Sequence, residues 1–241
     1  MVQTRWLSSA ATHCGAVRNM NEDAFLNRDD DGLWVVADGM GGHDAGEVAS
    51  EMITASLARV NVEQPLADVV DSLEDSLLEV HQKIRAYSRT HCEGRTMGST
   101  VVTFLLRESV GVCLWAGDSR LYRYRNHRLQ QISDDHSQVN EMLARGMITE
   151  EEARSHPASN VITRAVGASE TLYVDITLVE VQPGDVYLLC SDGLYGAINE
   201  SLIVRYLRGG DMQASTQGLI EEALRAGARD NVTVITVQIE P

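Results

Sequence analysis

Apolar positions recur at helical spacing in two early and two late segments of the chain. Residues 45–60 and 66–87 carry apolar side chains three and four positions apart, and residues 202–207 and 213–226 do so on either side of a Gly-Gly pair. This spacing places the apolar side chains on one face of a helix. The pattern therefore predicts two pairs of helices, with most of the chain lying between the pairs.

Short runs rich in β-branched and aromatic residues predict strands in the remainder. These runs lie at residues 33–37, 99–106, 111–116, 121–125, 172–180, 186–190 and 231–239. Most links between consecutive strands are too short for a crossover helix, which favours antiparallel pairing. We therefore expect an α+β fold, a layered α-β-β-α sandwich whose two mainly antiparallel central sheets are flanked by helix pairs.

Composition limits the number of domains and the kinds of partner. A chain of 241 residues with 44% hydrophobic content can bury one substantial core, and no linker or repeat divides it, so we expect a single domain over residues 1–241. The net charge of −15 and the lack of a dense Lys/Arg run disfavour nucleic acid as a partner. The same acidic balance suits binding of metal cations.

Cysteine spacing and hydropathy bear on cellular location. Cys14, Cys92, Cys113 and Cys190 form no C-x-x-C pair, which disfavours a zinc or iron–sulfur site and is typical of reduced, buried thiols. The N-terminus lacks the apolar core of an export signal, and no run approaches the roughly 18 apolar residues of a membrane span. We therefore expect a cytoplasmic protein without a membrane span.

Four carboxylates lie at the ends of predicted strands. Asp38, Asp118 and Asp192 follow strands, and Asp230 immediately precedes the last one. If these ends meet, the like charges would be costly unless a divalent cation binds between them, and oxygen ligands suit Mg²⁺ or Mn²⁺. Gly39, having no Cβ, could bring its carbonyl close to an ion. Spacing alone leaves the alternative that these Asp-Gly and Asp-Ser pairs are unrelated turns.

The residues around these acids carry a family resemblance. They form the motifs RNMNED (18–23), DGMGGH (38–43), GST (98–100), GDSR (117–120), SDGL (191–194) and DNVT (230–233). In this order, over residues 15 to 239, the motifs resemble the bacterial PPM, or PP2C, metal-dependent protein serine/threonine phosphatases. Each motif alone is weak, but their combination is specific.

The resemblance implies a role for each matching position. Asp38 resembles the carboxylate that bridges two Mn²⁺ or Mg²⁺ ions, and Gly39 the carbonyl ligand of one of them. Asp192 and Asp230 resemble ligands of the other ion, and Asp118 a ligand of a third, weaker ion. The residues implied to reach the ions through water or to support the ligands are Glu22, Asp23 and Asn231.

Such a centre would hydrolyse phosphate esters directly. Two ions can lower the pKa of a shared water enough to generate a hydroxide nucleophile near neutral pH. Arg18 offers a planar fork of donors for phosphate oxygens, and the alternative for Arg18 is a surface side chain on a polar loop. His43 is a candidate general acid or, equally, a residue that fixes the glycine turn, so the identity of the acid stays open.

The predicted function is removal of phosphate from serine and threonine of phosphoproteins, opposing a bacterial Ser/Thr kinase. The alternatives are a phosphoprotein-binding pseudophosphatase and a phosphatase of phosphotyrosine or small phosphomonoesters, since the motifs describe phosphate and metals only. We expect a monomer.

A polar insertion at about 133–167 corresponds to the family's mobile flap, although it could merely cover the sheet. Within it, Asp134 or Asp135 is predicted to cap a helix, and residues 149–152 form a capping box.

Overall fold

The computed structural model describes residues 4–41, 45–92, 96–154, 156–158 and 161–240. Its strands are β1 (Trp6–His13), β2 (Asp23–Arg28), β3 (Leu33–Met40), β4 (Gly98–Ser99), β5 (Val101–Arg107), β6 (Val110–Ala116), β7 (Arg120–Arg125), β8 (Arg128–Gln131), β9 (Asp175–Glu180), β10 (Val186–Cys190) and β11 (Val232–Ile239). Its α-helices are α1 (Ala45–Leu57), α2 (Leu66–His91), α3 (Gln138–Ala144), α4 (Glu150–Arg154), α5 (Asp192–Tyr195), α6 (Glu200–Leu207) and α7 (Met212–Arg225).

The strands form two antiparallel sheets. One has the order β1-β11-β10-β7-β8, and the other has the order β2-β3-β5-β6-β9 with the short β4 paired to β3. The described pairings are antiparallel, as the short connections predicted. Because β1 and β11 pair along their whole length, the two ends of the chain lie in the same sheet.

Apolar side chains fill three layers, which define the architecture. The layer between the sheets contains Trp34, Phe104 and Tyr187, stacked with ring centroids 5.9 and 4.4 Å apart. Helices α1 and α2 cover the second sheet, and α5, α6 and α7 cover the first. The predicted α+β fold with a layered α-β-β-α sandwich is thus confirmed.

Three strands were missed by the sequence analysis, and several predicted boundaries were wrong. Strands β1, β2 and β8 were not predicted, because their sequences are small, polar or charged at positions that face outward. Strand β3 continues to Met40, so Asp38 lies within a strand rather than after one. The first helix stops at Leu57, short of the predicted end at residue 60, and the second continues to His91, beyond the predicted end at residue 87.

The 133–167 insertion contains α3 and α4. Ser137, not Asp134 or Asp135, caps α3, because its side chain accepts the Asn140 N–H. The predicted capping box before α4 is confirmed: the Thr149 N–H donates to the Glu152 carboxylate at 2.8 Å, and the Glu152 N–H donates back to Thr149 Oγ1 at 3.3 Å.

Candidate active site

Two acidic residues face each other across β2 and β3. Asp23 and Asp38 are direct cross-strand partners, which places their side chains on the same face of the sheet. Asp23 Oδ2 accepts hydrogen bonds from the hydroxyls of Ser191 and Thr233, each at 2.7 Å. Thr233 lies in β11 and Ser191 directly follows β10, so Asp23 joins its own sheet to the other one beside Asp38.

Gly39 follows Asp38 at a point of close packing. A Cβ built on Gly39 would lie 2.1 Å from the Gly46 carbonyl oxygen and 2.5 Å from the Glu22 carbonyl oxygen. No side chain fits there, because backbone atoms of α1 and of the loop before β2 occupy the space. Close packing therefore requires glycine at position 39, independently of the predicted binding of an ion by its carbonyl.

The acids from separate elements meet around one cavity of about 350 Å³. Asp118 follows β6, Asp192 begins α5, and Asp230 precedes β11, yet all three line this cavity with Asp38. The other residues that line it are Arg18, Glu22, Gly39, Met40, Gly41, Thr100 and Ile162. The predicted convergence of the carboxylates thus occurs in the structure.

Burial and mutual repulsion disfavour the charged forms of these carboxylates. Burial raises the pKa of Asp118 to about 7, and the pKa values of Asp192 and Asp23 to about 6. Although part of Asp38 faces the cavity, burial and the neighbouring carboxylates raise its pKa well above the usual range. A cation in the cavity would reverse this effect, because opposite charge favours the ionised form.

The donor set fits hard divalent cations. Asp23 Oδ1 and Asp192 Oδ1 are buried and have no hydrogen-bond partner among the described residues, an arrangement that a bound cation or its water shell would satisfy. In the described ranges, no three His, Cys, Asp or Glu side chains form a complete ligand set by themselves. Mg²⁺ and Mn²⁺ accept carbonyl and water oxygens beside carboxylates, so the cavity suits an ion that keeps part of its hydration.

Arg18 lies at the mouth of the cavity, on the loop of residues 14–22. Its Nη2 donates to Asp230 Oδ2 at 2.8 Å, with both side chains about half exposed. Arg18 is therefore directed toward the acidic residues rather than away into solvent. Because the Arg18 side chain is still about half exposed, its action on phosphate and the alternative of a surface side chain both stay predictions.

Asn231 holds the Arg18 loop in place. Its Oδ1 accepts the Glu22 N–H at 2.8 Å, and its Nδ2 donates to the Cys14 and Met20 carbonyls at 3.0 and 2.8 Å. Asn231 is 4% exposed, so these bonds are protected from water. In the structure its contacts are with backbone groups of the loop on both sides of Arg18.

Sequence reasoning did not find every residue around the cavity. Ser191 and Thr233 belong to quoted motifs, but their hydrogen bonds to Asp23 depend on how the sheets pack. Ile162 carried no signal, because an isolated apolar residue in a polar insertion is unremarkable. The candidate acid His43 lies outside the described residues.

Comparisons with known proteins identify the family of this chain. The family model for protein phosphatase 2C matches residues 12–226. A serine/threonine phosphatase named stp from Listeria monocytogenes is 37% identical over 235 residues, covering 94% of this chain and 93% of the relative. The chain belongs to the protein phosphatase 2C family of metal-dependent protein serine/threonine phosphatases, as its motifs predicted.

Solved structures of similar proteins have the same fold as this chain. PppA, described as a key regulatory component of the T6SS in Pseudomonas aeruginosa, is 40% identical, with a TM-score of 0.91 over 98% of this chain and 99% of that one. The catalytic domain of the phosphatase PstP, solved with two manganese ions, is 34% identical, with a TM-score of 0.88 over 99% of this chain and all of that one (100%).

Proposed function

We propose that this protein hydrolyses phosphoserine and phosphothreonine on proteins at a centre of two Mn²⁺ or Mg²⁺ ions, with Asp118 holding a third, weaker ion. The observation that carries this proposal is the convergence of Asp38, Asp118, Asp192 and Asp230 on one cavity that Arg18 borders. In the part of the chain that the structure describes, Asp23 Oδ1 and Asp192 Oδ1 are buried without hydrogen-bond partners, and a bound cation would compensate for this. The manganese-bound PstP domain supports the choice of metal.

The proposed ligands divide between the two sheets. Asp38 and the Gly39 carbonyl come from β3, whereas Asp192 and Asp230 flank strands of the other sheet. When bound, the ions would supply a hydroxide nucleophile and offset the charge of the phosphate. Asp23, fixed by Ser191 and Thr233, would support Asp38, and Glu22 would act through water.

Arg18 would orient the phosphate. A guanidinium carries five N–H donors in a planar fork, and Arg18 uses one of them on Asp230. The remaining donors could bind two phosphate oxygens and offset charge that develops during transfer. His43 stays the candidate general acid for the departing serine or threonine oxygen, with a role in fixing the glycine turn as the alternative.

The proposal extends to the wider setting of the protein. We propose phosphoproteins as substrates, a bacterial Ser/Thr kinase as the opposing activity, a cytoplasmic location, a monomeric state and one domain over residues 1–241. None of the described helices is both long and apolar enough to span a bilayer.

Metal removal tests the proposed reaction directly. Purified protein should release phosphate from a phosphothreonine peptide with added Mn²⁺ or Mg²⁺ and lose this activity in excess EDTA, because carboxylates alone cannot generate the nucleophile. Elemental analysis must confirm that the EDTA-treated sample is free of metal. Full turnover in that sample would rule out the proposed mechanism.

A further inference from the structure

Residues 134–137, which we call the 134–137 segment, connect β8 to α3 and dock beside Asp118. The Asp134 carbonyl accepts the indole N–H of Trp115 at 2.8 Å. The Asp135 carboxylate accepts two N–H groups of Arg120, from Nε at 2.8 Å and from Nη2 at 2.6 Å. The segment therefore binds the chain both before and after Asp118.

His136 makes two hydrogen bonds to Gly117, the residue before Asp118. Its main-chain N–H donates to the Gly117 carbonyl at 2.9 Å, and its Nδ1 accepts the Gly117 N–H at 3.1 Å. Gly117 has φ +120°, and a Cβ there would lie 2.5 Å from Thr100. This backbone conformation therefore requires glycine at position 117, and His136 provides a partner for both its N–H and its carbonyl.

The role of Nδ1 as acceptor fixes the protonation of the His136 ring. A neutral imidazole that accepts at Nδ1 carries its proton on Nε2. That nitrogen lies 3.2 Å from Asp175 Oδ2, which can accept the proton, and Asp175 Oδ1 accepts from Arg164 Nη1 at 2.7 Å. Arg164 Nη1 also lies 3.2 Å from Nε2, so Asp175 and Arg164 together hold this side of the buried ring, and the Gly117 N–H at Nδ1 sets its tautomer.

The backbone of the same segment also ties the two ends of the insertion together. The Thr163 N–H donates to the His136 carbonyl at 2.7 Å, and Ser137 pairs with Ile162 in an isolated bridge. Ile162 lines the acidic cavity, as Asp118 does. His136 is therefore bonded to the loop that carries Asp118 and to the far end of the insertion.

We propose that His136 and Asp135 are positioning residues for Asp118, and that His136 couples the insertion to that carboxylate. The inference rests on the proposed function, because it assumes that Asp118 binds the weaker ion. Among the described residues, the Tyr195 hydroxyl donates to the Asp118 carbonyl at 3.0 Å. Without the His136 side chain, the Gly117 N–H would lose its acceptor, and the Asp118 carboxylate that follows would be less fixed.

Two substitutions of His136 separate positioning from general support of the fold. In His136→Asn the amide oxygen can replace Nδ1 as acceptor of the Gly117 N–H, while the contact with Asp175 is lost. In His136→Gln the amide reaches the Nε2 position and keeps Asp175, while the acceptor for Gly117 is lost. Both variants lose the stacking of the ring on Trp115, and each also loses the hydrogen-bond contacts of one ring nitrogen, so their midpoints of urea unfolding should be similar.

Manganese dependence is the decisive measurement. We expect His136→Gln to raise the Mn²⁺ concentration for half-maximal hydrolysis of a phosphothreonine peptide by about 10- to 100-fold, the usual effect of removing support from a metal ligand. His136→Asn should stay within about threefold of the wild type by the same reasoning. Calorimetric Mn²⁺ titration should show loss of the weakest site in the Gln variant only.

A matched pair of neighbouring substitutions tests Asp135. Asp135→Asn weakens the carboxylate pairing with Arg120. Asp134→Asn changes an exposed side chain and leaves the Asp134 carbonyl, which accepts the Trp115 N–H, in place. Asp135→Asn should shift the Mn²⁺ dependence upward, and Asp134→Asn should not. Equal Mn²⁺ dependence of the two His136 variants, or of the two aspartate variants, would overturn the positioning role. Wild-type protein that hydrolyses no phosphopeptide with Mn²⁺ would instead refute the proposed function.

Discussion

Replacement of Asn231 by alanine tests whether the Arg18 loop depends on one buried side chain. The substitution removes three hydrogen bonds, to the Glu22 N–H and to the carbonyls of Cys14 and Met20. Each such bond contributes about 0.5–1.5 kcal/mol net, so the free energy of unfolding should fall by about 2–4 kcal/mol. The loss lies toward the upper part of this range if the backbone groups stay buried without new partners.

Urea unfolding measures this loss, and peptide kinetics measure its effect on Arg18. With an m-value of about 2–3 kcal/mol/M, the midpoint should fall by about 1 M at unchanged slope. The KM for a phosphothreonine peptide should rise at saturating Mn²⁺, because the Arg18 guanidinium is no longer held at the cavity mouth. Asn61→Ala is the matched control, since Asn61 Oδ1 accepts one exposed N–H, from Glu63.

The comparison between the two asparagines decides the outcome. Asn61→Ala should cost less than about 1 kcal/mol and leave KM unchanged. If Asn231→Ala is as stable and as active as Asn61→Ala, the hydrogen bonds seen at Asn231 do not hold the loop, and the reasoning is refuted.

Three further predictions follow from the site and its surroundings. Arg18→Lys should raise KM for phosphopeptide, because lysine lacks the planar fork of donors, and unchanged steady-state kinetics would place Arg18 outside the phosphate site. Asp118→Ala should keep two tight Mn²⁺ sites while losing most turnover, whereas Asp192→Ala should weaken a tight site in calorimetric titration; equal loss of the tight sites would contradict this division. His81 Nδ1 accepts the Gly167 N–H at 2.8 Å, and burial lowers the pKa of His81. Neutral His81 therefore stabilises the fold above pH about 6.5, and this contribution is lost as pH falls from there toward the pKa of His81 in the folded protein. His81→Asn keeps an acceptor without a titrating group, so its urea midpoints at pH 7.5 and 5.5 should differ less than those of the wild type. An equal difference would show that His81 is not the source of the pH dependence of stability.

The periodic helices and the apolar central strands were predictable because one face of each helix and both faces of each central strand are buried. Helices α1, α2 and α7 carry apolar stripes, and the central strands carry nearly continuous apolar runs, so their burial could be predicted from the local sequence. Strands β1, β2 and β8 are half-exposed and lie at or beside the edges of the sheets. Their pairing depends on neighbours distant in sequence, which no local pattern records.

His136 illustrates the limit of local reasoning at the site. The Asp134-Asp135 pair before a polar helical stretch predicted a helix cap, but Ser137 has the extended backbone and the side-chain contact of the cap. Asp135 instead pairs with Arg120, and His136 binds Gly117. These partners lie 15 and 19 residues away, so only the folded arrangement of β6, β7 and the insertion reveals them.

The sequence by itself determined the chemistry: which carboxylates, which glycine and which arginine belong to the phosphatase motifs, and the alternation of sheet and helix that carries them. These features are local, because side-chain type and spacing along one element specify them. The tertiary structure decided that acids from β3, α5 and the loops after β6 and before β11 share one cavity, that Asn231 holds the Arg18 loop, and that the insertion is bonded to Gly117. Those contacts join residues far apart in the chain, and they form only when the two sheets pack face to face.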